Sequence, residues 1–203
     1  MLAARAVLAY TDPGDLVLDP DCASGSVLVE AIRHGRRAIG LTLDRSHAAL
    51  AIANVSHARD QGAPGRAAIL EGHPQQLPRL LRKATPLLTP RPAVGVSSHP
   101  AGSVRLILTN PAVDDLPEQL PALRAVLAPG GFLLLALDQR ASDRPVGLGA
   151  LVALTEQSGL EYWQHVIALH TYRATLLLHS DVLAFRKPTL AHTRGSVAQA
   201  VAA

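Results

Sequence analysis

Several residue types are scarce in this chain, and each scarcity excludes something. One cysteine, Cys22, stands among 203 residues, which rules out a disulfide-stapled scaffold. No uninterrupted apolar run approaches the roughly 20 residues that a membrane-spanning helix needs. The opening MLAARAVLAYTDPGD carries only Arg5 before acidic residues appear, without the basic start, full apolar stretch and cleavage site of a secretion signal. These features lead to the expectation of a soluble cytoplasmic protein. With 48% hydrophobic and 17% charged residues, the chain has the balance of a folded domain rather than a disordered one. Its length suits one domain with a sizeable core.

Lysine is nearly missing: Lys83 and Lys187 are the only two, so arginine supplies almost all the cations. Residues 1–105 hold 12 Arg and Lys against 8 Asp and Glu, a net +4, whereas residues 106–203 hold 7 against 8, a net −1. Between Arg79 and Arg105 lie five cations and no acid. Such a stretch suits a phosphate backbone, and it equally suits a solvated arginine-rich loop.

Short apolar runs alternate with amphipathic stretches, the pattern of a mostly parallel sheet covered by helices on both faces. Strands are expected at Leu16–Asp19, Arg37–Leu43, Ala67–Glu71, Val104–Thr109 and Phe132–Leu137, the last entered by a tight turn at Pro129-Gly130-Gly131. Helices are expected at Ser24–His34 and at Arg45–Gln61, where Leu50, Ile52 and Ala53 are the expected buried set. Shorter helices are expected around Gln75–Lys83, Leu116–Leu127 and Val146–Ser158. Prolines 86, 90, 92 and 100 mark 84–103 as a long surface loop, and 189–203 reads as a flexible tail. Two final strands, Tyr162–Leu169 and Thr175–Phe185, have so short a connection that they must pair antiparallel.

The most informative segment runs Thr11-Asp-Pro-Gly-Asp-Leu-Val-Leu-Asp-Pro-Asp-Cys-Ala-Ser-Gly-Ser26, followed by Glu30-Ala31 and Gly35-Arg36-Arg37-Ala38-Ile39-Gly40. It resembles the cofactor-binding region of the amino-group DNA methyltransferases, which modify N4 of cytosine or N6 of adenine. Their pattern is T-x-P-G-D-x-V-L-D-P-F-x-G-S-G-T, an acidic-alanine pair, then G-R-x-x-I-G. Later landmarks fall in the family's order: Glu71-Gly72-His73 with Gln76-Leu77-Pro78, Leu106 to Pro111, Leu127 to Gly131, and Leu183 to Pro188. The resemblance covers residues 1 to about 188. It implies a class I methyltransferase fold: three α/β/α layers, Rossmann-like, around a mostly parallel seven-stranded sheet with an antiparallel last strand. It leaves no length for a separate target-recognition domain, which is the expectation for this chain.

The same resemblance implies S-adenosylmethionine as cofactor, lying over Thr11, Asp19, Ala23, Ser24 and Gly25, with Thr42 or Asp44 at the ribose and His73 near the adenine; the Asp44 side chain equally suits a cap for the helix starting at Arg45. Asn110 and Pro111 then head the catalytic tetrapeptide, with Asn110 accepting from the target amine. DNA is the implied partner, with RNA as an alternative. Departures from the pattern matter as much. The family follows its polar residue with Pro-Pro and an aromatic that stacks on the flipped-out base, and here Ala112-Val113 replace the second proline and the ring. The carboxylate normally placed after the second strand is missing from Gly40-Leu41-Thr42, and His73 replaces the aspartate after the third. Ala23 replaces the first glycine of the turn, which an alanine tolerates at negative φ. These changes imply weakened cofactor binding and impaired catalysis. The alternative reading is a catalytically inactive module that keeps the fold.

Other residue types carry less. Cys22 reads as a small filler in the glycine-rich turn, and the nine scattered histidines form no metal-ligand set. Ser97-Ser98-His99 lacks the elbow of a hydrolase. Tyr162, Trp163 and Tyr172 read as core aromatics of the last strands.

Overall fold

The computed structural model describes residues 2–88, 103–137, 147–172 and 176–189. In chain order the elements are α1 (Leu2–Tyr10), β1 (Leu16–Asp19), α2 (Ser26–Arg33), β2 (Arg37–Thr42), α3 (Arg45–Asp60), β3 (Arg66–Glu71) and α4 (Leu77–Leu88). There follow β4 (Val104–Thr109), α5 (Leu116–Val126), β5 (Leu127–Leu137), α6 (Leu148–Gln157), β6 (Glu161–Tyr172) and β7 (Leu176–Arg186). The seven strands form one sheet in the order β3-β2-β1-β4-β5-β7-β6. β1 to β5 pair in parallel, and β7 runs antiparallel between β5 and β6. The expected architecture, including the reversed last strand, is present.

Two apolar layers flank the sheet because its strands are buried on both sides and alternate residues face opposite ways. Val17, Leu106, Leu108 and Leu134 pack with Leu28, Ile32, Ala51 and Val55 beneath α1, α2 and α3. Leu18, Ile39, Ile107, Leu133 and Phe185 pack on the other side with Leu77, Leu81, Leu116 and Leu120 of α4 and α5 and Leu151 of α6. The strand order reverses direction between β1 and β4, which opens a crevice at their carboxyl ends.

The structure corrects several expectations. Residues 2–10 form α1, which the short apolar stretch at the start did not reveal. On α3 the buried residues are Ala51, Val55 and Ala58, while Leu50, Ile52 and Ala53 face solvent. The reason is proximity to α2: a Cβ on Gly25 would lie 3.1 Å from the Ala51 Cβ, so only small side chains fit between the two helices. α4 extends to Leu88, so the first residues of the expected 84–103 loop are helical, and 89–102 lie outside the described residues. Pro129-Gly130-Gly131 is no turn but part of β5, where the register slips between the pairs Val104–Leu127 and Leu106–Phe132. Two backbone bonds hold this bulge against the end of β7, Gly130 N to Lys187 O and Lys187 N to Gly131 O, both 2.8 Å. Tyr162 and Trp163 are exposed rather than core, because β6 is the sheet's outer strand. The expected tail from 190 onward lies outside the described residues.

Candidate functional site

The site begins at the end of β1. Asp19 is the last residue of that strand, pairs with Gly40 of β2, and is 6% exposed. After it the chain makes a tight turn into α2. The turn is tied down by Cys22 N donating to Leu41 O at 2.9 Å and by Gly25 N donating to Cys22 O at 2.5 Å. It presses so closely on β2 that a Cβ at Gly40 would meet Cys22 Sγ at 2.7 Å and Leu28 Cδ2 at 2.8 Å. Glycine at 40 is therefore a packing requirement of the turn. Gly25 supplies a left-handed residue (φ 78°) at the start of α2, where no side chain caps the helix. The first N–H groups of α2 thus have no side-chain acceptor, an arrangement that favours an anionic group.

The electrostatics of the turn follow from its burial. Burial pushes the Asp19 carboxyl up to about 7, the neighbouring Asp21 charge adds to the rise, and the Asp21 N–H, which donates to Asp19 Oδ1 at 3.2 Å, opposes it. Burial also pushes the Cys22 thiol up to about 12, with Asp19 and Asp21 contributing, so this cysteine is an uncharged filler and no nucleophile.

Asp19 faces a cleft of about 390 Å³, within the roughly 300–1,000 Å³ of small-molecule sites. Asp21, Ser26 and Glu30 line it from the turn and α2, Thr109 and Asn110 from the end of β4. Leu2 and Ala3 of α1, Val27, Leu108 and Ala136 supply the apolar wall. Glu30 is held by Arg33 at 3.2 Å and His34 at 3.8 Å on its own helix. The chemistry on offer is carboxylates for a cationic group at one end, free helix N–H groups for an anion beside it, and an exposed amide, Asn110, across the cleft.

Of the residues the sequence singled out, Asp19 and Asn110 meet in this cleft. Pro111 follows Asn110, half-buried, and leads into a short 3₁₀ turn, Val113–Asp115. There Val113 packs against the core under α4 and α5. Ala23, Ser24 and Gly25 shape the turn but do not line the cleft. Ala23 lies at φ 37°, the left-handed region, so the negative φ under which an alanine is tolerated is not met. Ser24 O accepts from Asn54 Nδ2 of α3 at 2.9 Å.

Thr11 serves a different purpose. Its hydroxyl donates to Val7 O at 2.5 Å, closing α1, and accepts from Arg36 Nε at 3.0 Å, while Arg36 Nη2 donates to Thr11 O. The threonine before β1 and the arginine before β2 are thus one buried tie, and Thr11 does not reach the cleft. At the end of β2, Thr42 Oγ1 accepts from Asp44 N at 3.2 Å. Asp44 caps α3, with Oδ1 accepting from Ser46 N at 2.7 Å and His47 N at 3.2 Å. His73 is exposed at the start of the 3₁₀ turn Pro74–Gln76. Thr42, Asp44 and His73 stand outside the cleft wall.

Sequence reasoning overlooked Asp21 and the α1 wall. It cited Glu30 without a role, although Ser26 and Glu30 are one helical turn apart and share the face that the turn presents.

Comparisons with known proteins agree with this fold. The sequence model of a family described as DNA methylase matches residues 1–54, which span α1, the turn and most of α3. No curated protein matches the whole chain in sequence. Among solved structures, a SAM-dependent methyltransferase from Methanosarcina mazei superposes with a TM-score of 0.62 at 15% identity, covering 90% of this chain and 96% of that one. A TehB-like SAM-dependent methyltransferase from Corynebacterium glutamicum gives 0.59 at 16%, covering 91% and 86%. Magnesium protoporphyrin IX methyltransferase from Synechocystis, solved with bound SAM, gives 0.64 at 12%, covering 92% and 76%. The fold is that of the class I, Rossmann-like methyltransferases. Among the described residues no helix is long and apolar enough to cross a membrane.

Proposed function

We propose that the cleft binds S-adenosylmethionine and that the protein is a DNA methyltransferase-like protein acting on an exocyclic base amine. The observation that carries this reading is the pairing of Asp19, buried at the end of β1, with Asn110 at the end of the adjacent β4, in one cleft. The donor set fits the amino-acid part of that cofactor. Asp19 and Asp21 suit an ammonium, and the uncapped start of α2 suits a carboxylate. When bound, the cofactor supplies an electrophilic methyl group. The chain's own task is positioning: the Asn110 amide oxygen accepts a hydrogen bond from an incoming amine, and the apolar wall of Leu2, Ala3 and Leu108 keeps water out.

The fit is poorer at the adenosine part. Thr42 is turned onto the Asp44 backbone, the Asp44 carboxylate is engaged as a helix cap, and His73 is exposed. Packing of Val113 into the core supports a second reading, a cofactor-binding module with little or no turnover, because no ring stands beside Asn110 to stack on a base.

Titration calorimetry with S-adenosylmethionine and with its demethylated product tests the binding half. Wild type is expected to bind, and Asp19→Asn to bind at least tenfold more weakly. Absence of binding to wild type removes both readings. Transfer of labelled methyl from cofactor to unmethylated DNA, lost in Asn110→Ala, supports the enzyme. Binding without transfer, to DNA or RNA, supports the module, and Ala112→Pro with Val113→Tyr then asks whether turnover returns.

A further inference from the structure

The end of the sheet remote from the cleft carries a cationic surface that the reading above does not use. Arg105, the last cation of the acid-free stretch from Arg79, lies four residues before Thr109 on β4, about 13 Å away at about 3.3 Å per residue. Beside it in the β5 bulge lies Gly130, a glycine at φ 74°. A Cβ there would be 3.4 Å from Arg105 Nη1 and 3.7 Å from Arg186 Nη2, so the two guanidiniums converge on one point.

Among the described residues no ion pair involves Arg105 or Arg186, although Glu161 is opposite Arg186 in the β6–β7 register. The Nε of Arg186 is buried with no hydrogen-bond partner. Lys187 stands next in the chain, its Nζ donating to Arg124 O and Leu127 O at 2.9 and 2.7 Å. Its ammonium is held below the usual lysine range by burial and then by the Arg124 charge.

An aromatic adjoins the cations. The Arg186 guanidinium carbon lies 5.4 Å from the centre of the Trp163 ring, and Phe132 meets the same ring edge-on at 5.8 Å. Phe132 is in turn backed by Tyr10 at 4.9 Å. The ladder fixes the indole in place, yet 51% of Trp163 remains exposed. A fixed, solvent-facing indole beside Arg186, with the Arg105 guanidinium meeting Arg186 at Gly130, has the composition of a platform for an unpaired nucleotide strand.

We propose that this face binds single-stranded nucleic acid, with Arg105 and Arg186 on consecutive phosphates and a base stacked on Trp163. The surface is separate from the cleft and independent of any methyl donor.

Trp163 is the only tryptophan of the chain, so its fluorescence reads the site directly. The full-length protein, without cofactor, is titrated with a ten-nucleotide oligo-dT. Saturable quenching is expected, weakening about tenfold between 50 and 200 mM salt, as two to three phosphate contacts require. Arg105→Gln and Arg186→Gln should each weaken binding several-fold and lower the salt slope by about 0.7, whereas Arg66→Gln, an exposed arginine on the opposite edge strand β3, should change neither. The salt slope of the wild type needs no variant and guards against a misfolded Arg186 substitution. Four results overturn the proposal: no quenching by the oligonucleotide, quenching indifferent to both arginine substitutions, equal quenching by phosphatidylserine vesicles or inorganic phosphate, or loss of quenching in Arg66→Gln. Because no cofactor is present, failure to bind S-adenosylmethionine leaves this outcome untouched.

Discussion

Replacing Asp19 by Asn should make the protein more stable at alkaline pH while weakening its cleft. Asp19 is 6% exposed, and burial raises its carboxyl from 3.8 to about 7, so at pH 8 the folded state must hold a charge that burial disfavours. That rise corresponds to about 4 kcal/mol of lost stability when the group is ionised. Water entering the cleft and the new amide's own polar group reduce the expected gain of Asp19→Asn to about 2–3 kcal/mol. The one hydrogen bond at Asp19 survives, since an Asn Oδ1 accepts from Asp21 N as the carboxylate does.

The pH dependence identifies the cause. A carboxyl raised in the folded state keeps its proton there between pH 3.8 and about 7 while the unfolded chain has lost it. Wild-type stability therefore falls across that window as pH rises, and is level above it. The advantage of Asp19→Asn should be full at pH 8, shrink steadily below pH 7, and vanish near pH 4. Thermal unfolding at pH 4, 5, 6, 7 and 8 measures it, with about 2–4 °C expected per kcal/mol for a chain of this size. A pH-independent difference, or a variant less stable at pH 8, would refute the argument that burial dominates at Asp19. Calorimetry supplies a companion check: binding of a cation beside Asp19 near pH 6.5 should release a proton, seen as a heat that varies with the buffer's ionisation enthalpy.

Two further substitutions test the turn and its neighbour. Ala23→Gly should stabilise the protein by about 1 kcal/mol, raising Tm by about 2–4 °C, because φ 37° strains an alanine more than a glycine's extra freedom offsets. A lower Tm in that variant would show that the turn does not hold the strain. Asp44→Ala should lower Tm at pH 7, since the carboxylate caps α3. The Ser46 hydroxyl, then the His47 and Ser46 N–H groups, hold that carboxyl below its usual range, so the stability it adds is present above pH 4 and lost as pH falls through the lowered value. The difference between wild type and Asp44→Ala should accordingly disappear in strong acid, and a gap that persists there would mean the cap acts by shape rather than charge.

How much of this was legible beforehand depends on the range of the interactions. β1, β4 and α5 were read to within a residue or so because their apolar runs and punctuating turns are local signals. The antiparallel β6–β7 pair was legible because a short connection leaves no other geometry. Ala51, Val55 and Ala58 were hidden because alanines and a valine look like a weak face until Gly25 is known to bring α2 close. The β5 bulge was hidden as well, since Pro-Gly-Gly reads as a turn unless the end of β7 is there to bond it.

The amino-acid sequence alone determined the sheet-and-helix alternation, the reversed last strand, and the placing of Asp19 and Asn110 at two strand ends. Pattern and spacing are properties of neighbouring residues, so they can be read along the chain. The sequence left Asp44 between the ribose and the cap of α3, and its local bonds to Ser46 and His47 decide for the cap. Tertiary structure alone decided which named residues share a cleft, that Thr11 is bound to Arg36, and that Arg186 meets both Arg105 and Trp163. Those relations join residues roughly 20 to 90 positions apart, and only the register of the strands and the depth of burial bring them within reach of one another.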